Sequence, residues 1–389
     1  MESRSSALFG ALPVSRLSLP PRPRPAWASP GGRYEIELRG PQEIGVDVEA
    51  WHDLAGRAVE PALFAHPDVL LPAFQHLPDG RQVALLLVWE PDPNRVLRGL
   101  LPVLMPRIPL APGEVRLWRP TVFSVAAALF DRERPEGVLA AALSFCAARG
   151  VRCSSFAVTA LPADGLLAAS FAAAAAASRR RLERLPQGHA LATVMAPAPQ
   201  AEPFSLSHGP RLRMAAARTP AEVRDAVESF LVIDAAGAKA RGGKALIQDP
   251  GLASFVRTMT RQLARRGRCR VDVLRHGREP VAAGIVLEDA DSLWLWRAAA
   301  SDGPHVDRLA AAAAARAHRS GKRLIVPEEV PVPPQVAAAL GLAPVALADL
   351  LVSIRPGRST GAAAVRLKAL IDRRLRQAAA AGLQRLARA

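Results

Sequence analysis

The periodicity of apolar positions divides the chain into segments of helical and extended character. Apolar residues recur every three to four positions where helices are expected, and they alternate or run continuously where strands are expected. In the first half we predict strands at 34–40, 83–90, 96–107, 154–161 and 191–197, and helices at 48–58, 67–76, 138–150 and 165–185. The last of these helices contains a run of alanines, which have high helix propensity.

The second half restarts after residues 199–210, whose Pro, Ser and Gly content is typical of a linker. Thr219, Pro220 and Glu222 have the spacing of a capping box with proline in the first turn, so a helix is predicted to begin there. A helix at 250–266, three antiparallel strands over 269–300, a helix at 304–319 and a strand at 322–327 follow. This order predicts an α/β fold with a mixed sheet, in which a parallel strand pair is connected by helix 304–319.

The two ends of the chain differ in composition from the middle. Residues 1–32 end in PPRPRPAWASPGG, which cannot build a core and is predicted to be a disordered leader. Residues 357–389 are predicted to contain a basic amphipathic helix at 360–388, which docks on the body, pairs with another chain or lies on an anionic membrane surface. Its apolar stripe consists of Leu367, Leu370, Ile371 and Leu375. Between the ends we predict two domains, at 33–198 and 211–356.

The chain has a net charge of +16, but this charge alone does not identify a class of function. The composition is rich in Arg, Ala and Pro, as in GC-rich genomes, so part of the charge reflects coding bias. Arginine is spread along the whole chain without an aromatic-interleaved basic motif, so no specific nucleic-acid partner is predicted. The three cysteines form no CxxC pair, which predicts neither a disulfide framework nor a zinc site and fits a reducing cytoplasm. No apolar run is long enough to predict a membrane span.

Lysine is rare and unevenly placed. The chain has four lysines, and two of them, Lys239 and Lys244, lie in the glycine-rich segment GAKARGGKA at 237–245. Together with Arg241, these side chains are candidates to bind a phosphate or a substrate carboxylate. The alternative is a solvated basic loop.

Several strings occur in an order that is familiar from a known family. In the first half they are WHDLAGRAVEPALFAHPDVLLPAFQHL, LRGLLPVLMPR and ALPADGLLAASF. In the second half they are ARTPAEVRDAVESFLVIDAAGAKARGGKAL, PGLASFVRTMTRQLA, VLRHGREPVAAGIVL and LWLWRAAASD. Over roughly 45–355 the chain resembles the GNAT acyltransferase superfamily, in its cellulose-biosynthesis (CelD-type) acetyltransferase branch. The resemblance implies tandem GNAT-like domains, an acyl-CoA donor substrate and an amine or hydroxyl acceptor, which is a small molecule or a saccharide of envelope or exopolysaccharide biosynthesis. It implies no metal.

The chain departs from the family at two places. Where the family reads approximately GWKGRxGTA, Lys239, Gly243 and Ala245 match, but Ala238 replaces the tryptophan and Lys244 the threonine. The family's WK pair becomes Trp296-Arg297, and SDGP at 301–304 is a shortened form of the segment that follows. These departures leave a second reading open, in which the protein is a non-catalytic GNAT-fold binding or regulatory protein.

The resemblance also suggests where the donor binds. In GNAT proteins backbone N–H groups at a strand-to-helix junction hold the pyrophosphate of CoA, because the helix dipole favours an anion there. Gly303 precedes helix 304–319, and Arg308 lies one turn further on. With Arg297, these two residues are the predicted donor-binding set. The alternative is an ordinary helix start.

Acid–base and acceptor roles remain open between several residues. Asp302 or His305 is the predicted general base for an amine nucleophile, and Glu328 and Glu329 are further candidates. Trp296 is predicted to contact the substrate, with Lys239, Arg241, Gly243 and Lys244. The alternative for Trp296 is core packing, because Trp294 and Trp296 alternate on one strand and share a face. The protein is predicted to be cytoplasmic, and peripheral membrane attachment is one of the alternatives for helix 360–388.

Overall fold

The computed structural model describes most of the chain from Trp27 to Ile354. The described residues are 27–30, 32–43, 47–91, 94–106, 113–148, 153–186, 191–195, 212–240, 244–301 and 305–354. The helices are α1 Val48–Gly56, α2 Pro67–His76, α3 Pro135–Ala147, α4 Leu166–Ala177, α5 Pro220–Ala240, α6 Pro250–Arg265, α7 His305–Arg319 and α8 Pro334–Ala339. The strands are β1 Trp27–Ala28, β2 Glu35–Arg39, β3 Ala84–Glu90, β4 Val96–Leu104, β5 Gly113–Leu117, β6 Leu129–Phe130, β7 Cys153–Pro162, β8 Leu182–Pro186, β9 Leu191–Met195, β10 Leu212–Ala217, β11 Cys269–His276, β12 Glu279–Glu288, β13 Ser292–Ala300, β14 Arg323–Pro327, β15 Ala343–Val345 and β16 Leu347–Ser353.

The chain forms two mixed sheets. The first has the order β1-β2-β3-β4-β5-β7-β16-β8, with β6 paired to β4, and the pair β5–β7 is parallel. The second has the order β10-β11-β12-β13-β14-β9-β15, and the pair β13–β14 is parallel. The mixed α/β class and the parallel pair connected by α7 are therefore confirmed.

The two sheets exchange strands. β9 precedes all other strands of the second sheet in sequence, and it pairs there with β14 and β15. β16 comes after all strands of the second sheet, yet it lies between β7 and β8 in the first sheet. Leu350 and Val352 of β16 are buried in the core of the first half. Neither sheet is complete without a strand from the other part of the sequence.

A continuous apolar core joins the halves. It combines residues of α1, α2 and β3 with residues of α5, α6 and β11–β13. The Phe64 ring meets the edge of Trp294 at 5.1 Å between centroids, and Phe123 lies 6.1 Å from Phe255. Burial of these large rings contributes about 1.5–3 kcal/mol each, so the contact between halves is part of the folding core.

The predicted capping box at the start of α5 is confirmed. The Glu222 backbone N–H donates to Thr219 Oγ1 at 3.3 Å, and the Thr219 N–H donates to Glu222 Oε2 at 3.1 Å. Each side chain therefore satisfies a backbone donor that the first helical turn leaves free.

Two sequence predictions need correction. The helix expected at 165–185 ends at Ala177, because Ser178 Oγ donates back to Ala174 O and Arg179 adopts a left-handed φ of 51°. The chain then forms β8, which pairs with β16 from far along the sequence. The sequence pattern also predicted no element between the linker and α5, but Leu212–Ala217 forms β10, an edge strand antiparallel to β11.

Three predicted features lie outside the described residues. They are most of the leader 1–32, the linker 199–210 and the amphipathic helix at 360–388. Within the part of the chain that the structure describes, none of the helices combines the length and apolarity needed to cross a bilayer.

Candidate functional site

The candidate site lies where β13 and β14 diverge. The two parallel strands pair at only three positions, and the last pair is Trp294 with Ile325. β13 continues to Ala300, whereas β14 ends at Pro327. A break in the register of β12 against β13, between Ile285 and Val286, accompanies the divergence. The carboxyl ends of the strands are therefore separated, with α7 beginning nearby at His305.

Arg297 and Glu329 face each other across this opening. Arg297 Nη1 lies 3.5 Å from Glu329 Oε2 and donates to the Trp296 carbonyl at 3.2 Å. The Arg297 side chain is only 12% exposed, and its guanidinium lies over the Trp296 ring at 5.0 Å from the centroid. Burial lowers the pKa of Arg297, while the carboxylates of Glu329 and Asp234 oppose that shift. A nearly buried cation therefore stands at the mouth between the strands.

The first turn of α7 carries polar atoms without partners. His305 Nδ1 and Arg308 Nη1 are both buried, and neither has a hydrogen-bond partner among the described residues. Burial also raises the pKa of Asp307 in the same turn, while its own backbone N–H and His305 oppose the shift. Asp307 Oδ1 is likewise buried without a partner among the described residues, and His305 Nδ1 donates or accepts according to its tautomer. Arg308 Nη1 can only donate, and an unpaired buried donor is costly, so at this point the turn favours a ligand with an acceptor oxygen. Asp302 and Gly303 lie outside the described residues.

The lysine-containing segment begins at the end of α5. The backbone of Lys239 lies in the last turn, but its side chain, Arg241 and Gly243 are outside the described residues. Lys244 is exposed. Two residues later the Leu246 N–H donates to Asp234 Oδ2 at 2.8 Å. Asp234 is also among the carboxylates whose charge raises the pKa of Arg297, so Leu246 and Arg297 are both related to this carboxylate.

Asp234 has a structural task that the sequence analysis did not indicate. Its neighbour Ile233 is buried in the core. Asp234, one residue later, instead holds the turn after Lys244 and contributes negative charge near Arg297.

Trp296 lies in the core. Its side chain is fully buried, its Nε1 donates to the Val122 carbonyl at 3.3 Å, and its ring meets Phe255 edge-on. This environment corresponds to core packing, which was the alternative to substrate contact for Trp296. Through the ring, Trp296 supports the guanidinium of Arg297.

A second polar cluster lies between the halves, and nothing in the sequence pattern indicated it. The cluster consists of His52 of α1, His66 immediately before α2, and Asp68 of α2. Their potential metal-ligand atoms lie within 4.8 Å of one another. Arg266, after α6, occupies this space: its Nη2 is 2.6 Å from His52 Nε2, and its Nε is 2.6 Å from Asp68 Oδ2. A guanidinium in this position competes with a metal ion, so the cluster is a polar contact between halves.

The two histidines in this cluster are held neutral. Burial lowers the pKa of His66 to about 3, and Arg268, His52 and Arg266 act in the same direction. Burial and the charge of Arg266 lower the pKa of His52 as well. His66 Nδ1 accepts from the Asp68 N–H at 3.3 Å, so the neutral ring caps α2.

Comparison with known proteins places the site in a family context. Residues 205–318, less than half of the chain, match the family described as an acetyltransferase (GNAT) domain. This span includes α5, α6, β11, β12 and β13 and nearly all of α7, and therefore contains Arg297, His305 and Arg308. The second half is thus similar to a GNAT acetyltransferase domain. No match is found among curated proteins.

Solved structures resemble most of the chain. A crystal structure of FemX has a TM-score of 0.53 and 8% identity, covering 77% of this chain and 95% of that one. The C-terminal domain of a protein described as a lysylphosphatidylglycerol synthetase, from Agrobacterium fabrum, has a TM-score of 0.51 and 13% identity, covering 84% and 96%. A tandem GNAT protein from the clavulanic acid biosynthesis pathway has a TM-score of 0.41 and 17% identity, covering 83% and 100%. At these identities the first two show a shared fold.

Proposed function

We propose that the protein is an acyl-CoA-dependent N-acyltransferase of the GNAT type, which transfers an acyl group to an amine or hydroxyl acceptor. The observation that carries this proposal is the first turn of α7 beside the diverging β13 and β14. There Arg308 Nη1 is buried without a partner among the described residues, and Arg297 lies close to the gap. Cations and a helix N-terminus together suit the pyrophosphate of an acyl-CoA.

In this proposal the strand opening receives the thioester end of the donor. Arg297 and Arg308, with the backbone near Gly303, bind the phosphates. The acceptor nitrogen attacks the thioester carbonyl, the C–S bond breaks, and the CoA thiolate leaves. His305 accepts the proton released from the attacking amine, because its Nδ1 is buried and has no partner among the described residues. Asp302 is the other candidate for that task.

On the acceptor side we propose the lysine segment. Lys239, Arg241, Gly243 and Lys244 would bind an anionic group of the acceptor, and the Asp234–Leu246 hydrogen bond supports this by holding the adjoining turn. Trp296 then acts through Arg297, not by touching the substrate. An acceptor from envelope or exopolysaccharide production belongs to the same proposal and rests on the CelD-type resemblance.

Calorimetric titration with acetyl-CoA tests the donor site. We expect a dissociation constant in the range of about 1 μM to 1 mM that is usual for enzyme substrates. Arg308→Gln should weaken binding about tenfold or more, because a charge-assisted hydrogen bond is lost. Arg319→Gln, an exposed arginine at the far end of the same helix, is the matched control. Absence of binding at millimolar acetyl-CoA would rule out the proposal.

The second candidate is a GNAT-fold protein that binds a ligand without catalysis. The replacement of family residues by Ala238 and Lys244 favours it. Release of free CoA thiol in the presence of amine acceptors distinguishes the two candidates, because binding without turnover supports the second.

A further inference from the structure

A cavity of about 520 Å³ lies between the two halves, beside the segment in which β13 and β14 are still paired. The first half contributes Phe64, Phe130 and Leu161, and the second contributes Trp294 and Ile325. A volume of a few hundred cubic ångströms and a mostly apolar wall are typical of pockets for small ligands. The cavity is therefore large enough for an organic molecule with an aliphatic or aromatic body.

This cavity is distinct from the candidate donor site. Its lining includes Asp291 and Trp294 of the amino half of β13 but not Arg297, His305 or Arg308. Arg297 lies three residues beyond Trp294, which corresponds to about 10 Å of extended strand.

The ionisable groups of the cavity wall are predominantly acidic. Among the described lining residues, the carboxylates are Glu60, Asp164 and Asp291, and the single cation is Arg323. Arg323 Nη2 already pairs with Asp291 Oδ2 at 2.7 Å. The remaining carboxylates, half-buried Glu60 and exposed Asp164, leave the lining with net negative charge, although the whole chain carries +16. A negative wall favours a cationic ligand group.

An anionic ligand is disfavoured by a specific contact. Gly165, Leu166 and Leu167 at the amino end of α4 line the cavity, and a helix amino end normally favours an anion. Glu60 occupies this position: its Oε2 accepts from the Leu167 N–H at 2.9 Å. A side chain at Gly165, the residue before α4, would meet both Glu60 oxygens at 3.1–3.3 Å, so the carboxylate is packed against the helix start. A phosphate would have to displace it.

We propose that this cavity binds a primary amine with an aliphatic or aromatic body. The ammonium group pairs with Glu60 and Asp164, and the apolar body packs against Phe64, Trp294 and Ile325. The inference goes beyond the acyltransferase proposal and does not depend on donor binding.

The test uses the full chain and three probes of equal length: n-octylamine, octanoate and octanol. Binding is followed by calorimetry and by tryptophan fluorescence, since Trp294 lines the cavity. We expect octylamine to bind with one-to-one stoichiometry, and octanoate to bind about tenfold or more weakly, in line with a charge-assisted contact. Equal affinity for octanoate, or no binding of octylamine, overturns the proposal.

Two kinds of variant locate the binding. The double substitution Glu60→Gln with Asp164→Asn should weaken octylamine binding about tenfold while leaving octanol unchanged. The amide oxygen introduced by Glu60→Gln can still accept from the Leu167 N–H, so the start of α4 stays capped. Asp225→Asn, an exposed carboxylate on α5, is the charge control. Ala62→Phe and Ala346→Phe fill the cavity from opposite halves, and both should abolish binding of octylamine and octanol.

Each result of the variants is decisive. If octylamine binds both filled variants as it binds the natural chain, the amine lies elsewhere and the proposal fails. If Ala62→Phe does not fold, Ala346→Phe, at an exposed position in the loop before β16, provides the same test. Acetyl-CoA titration of the filled variants should be unchanged, so failure here and failure of the donor site can be told apart.

Discussion

Arg297 and Glu329 form an ion pair, 3.5 Å between Nη1 and Oε2, that bridges the gap between the carboxyl ends of β13 and β14. Arg297 is nearly buried against Trp296, whereas Glu329 is about half exposed. The cation is thus packed against the core, and the anion faces solvent. If the donor binds as proposed, its phosphate competes with Glu329 for the same guanidinium, so the pair is a probe of donor binding.

Substitution of the two partners should change acetyl-CoA affinity in opposite directions. Arg297→Met removes the cation and should weaken binding about tenfold or more. Glu329→Gln removes a competing carboxylate and should tighten binding about two- to fivefold, the size expected for a partly exposed pair. Calorimetric titration measures both. A shift of the same sign in both variants would assign the pair a purely structural role.

His66 should make the protein sensitive to acid. Its folded pKa of about 3 lies below its ordinary value of 6.5, so the unfolded chain binds the proton more readily. The stabilisation is fully present above pH 6.5 and is lost as pH falls toward 3, by roughly 1 kcal/mol per pH unit. Urea unfolding between pH 7 and 4.5 measures this slope.

The matched variants for this prediction are His66→Asn and His276→Asn. Asparagine can still cap α2 but does not titrate, so His66→Asn should flatten the acid dependence. His276 is exposed at the end of β11, and its substitution should leave the slope unchanged. A slope that is identical in all three proteins would contradict the assignment to His66.

Strand exchange should hold the halves together after the chain is cut. A protease site inserted within 199–210 separates β9 from β10, yet β9 still pairs with β14 and β16 still lies between β7 and β8. We expect the two fragments to co-elute in size-exclusion chromatography and to unfold in one transition. Separate elution without denaturant would show that the exchanged strands and the shared core contribute little.

The two clustered lysines should affect binding but not stability. Lys239→Ala with Lys244→Ala should raise an acceptor or donor constant and leave the melting temperature nearly unchanged, since Lys244 is exposed. Lys322→Ala is the contrasting control, because its Nζ donates to Glu288 Oε1 at 2.8 Å and Asp289 O at 2.7 Å. It should lower the melting temperature instead. Unchanged binding in the double variant would indicate that the segment is a solvated basic loop without a binding role.

The C-terminal segment should bind to the body of the protein. An apolar stripe of this length is marginal as an isolated helix in water, so we expect deletion of 358–389 to lower the melting temperature or to cause aggregation. If the shortened protein folds normally and loses only its sedimentation with anionic vesicles, the segment is a membrane-surface anchor.

Local sequence signals determined the type and bounds of many elements. Helix 67–76 was predicted with its observed limits, and Thr219 and Glu222 placed the start of α5, because caps and periodicity act through neighbouring residues. The similarity of the second half to a GNAT domain was also predicted, because it rests on the order of several short sequence strings. The CelD-type branch and the acceptor stay predictions.

Tertiary structure alone decided which distant residues meet. The end of α4 and the exchange of β9 and β16 depend on strands that are distant in sequence, and no local pattern specifies that pairing. The Arg297–Glu329 pair, the His52–His66–Asp68 cluster with Arg266, and the acidic cavity likewise join side chains from separate elements. Burial then lowered the pKa of His66, because the protonated ring loses its hydration only once the core has formed around it.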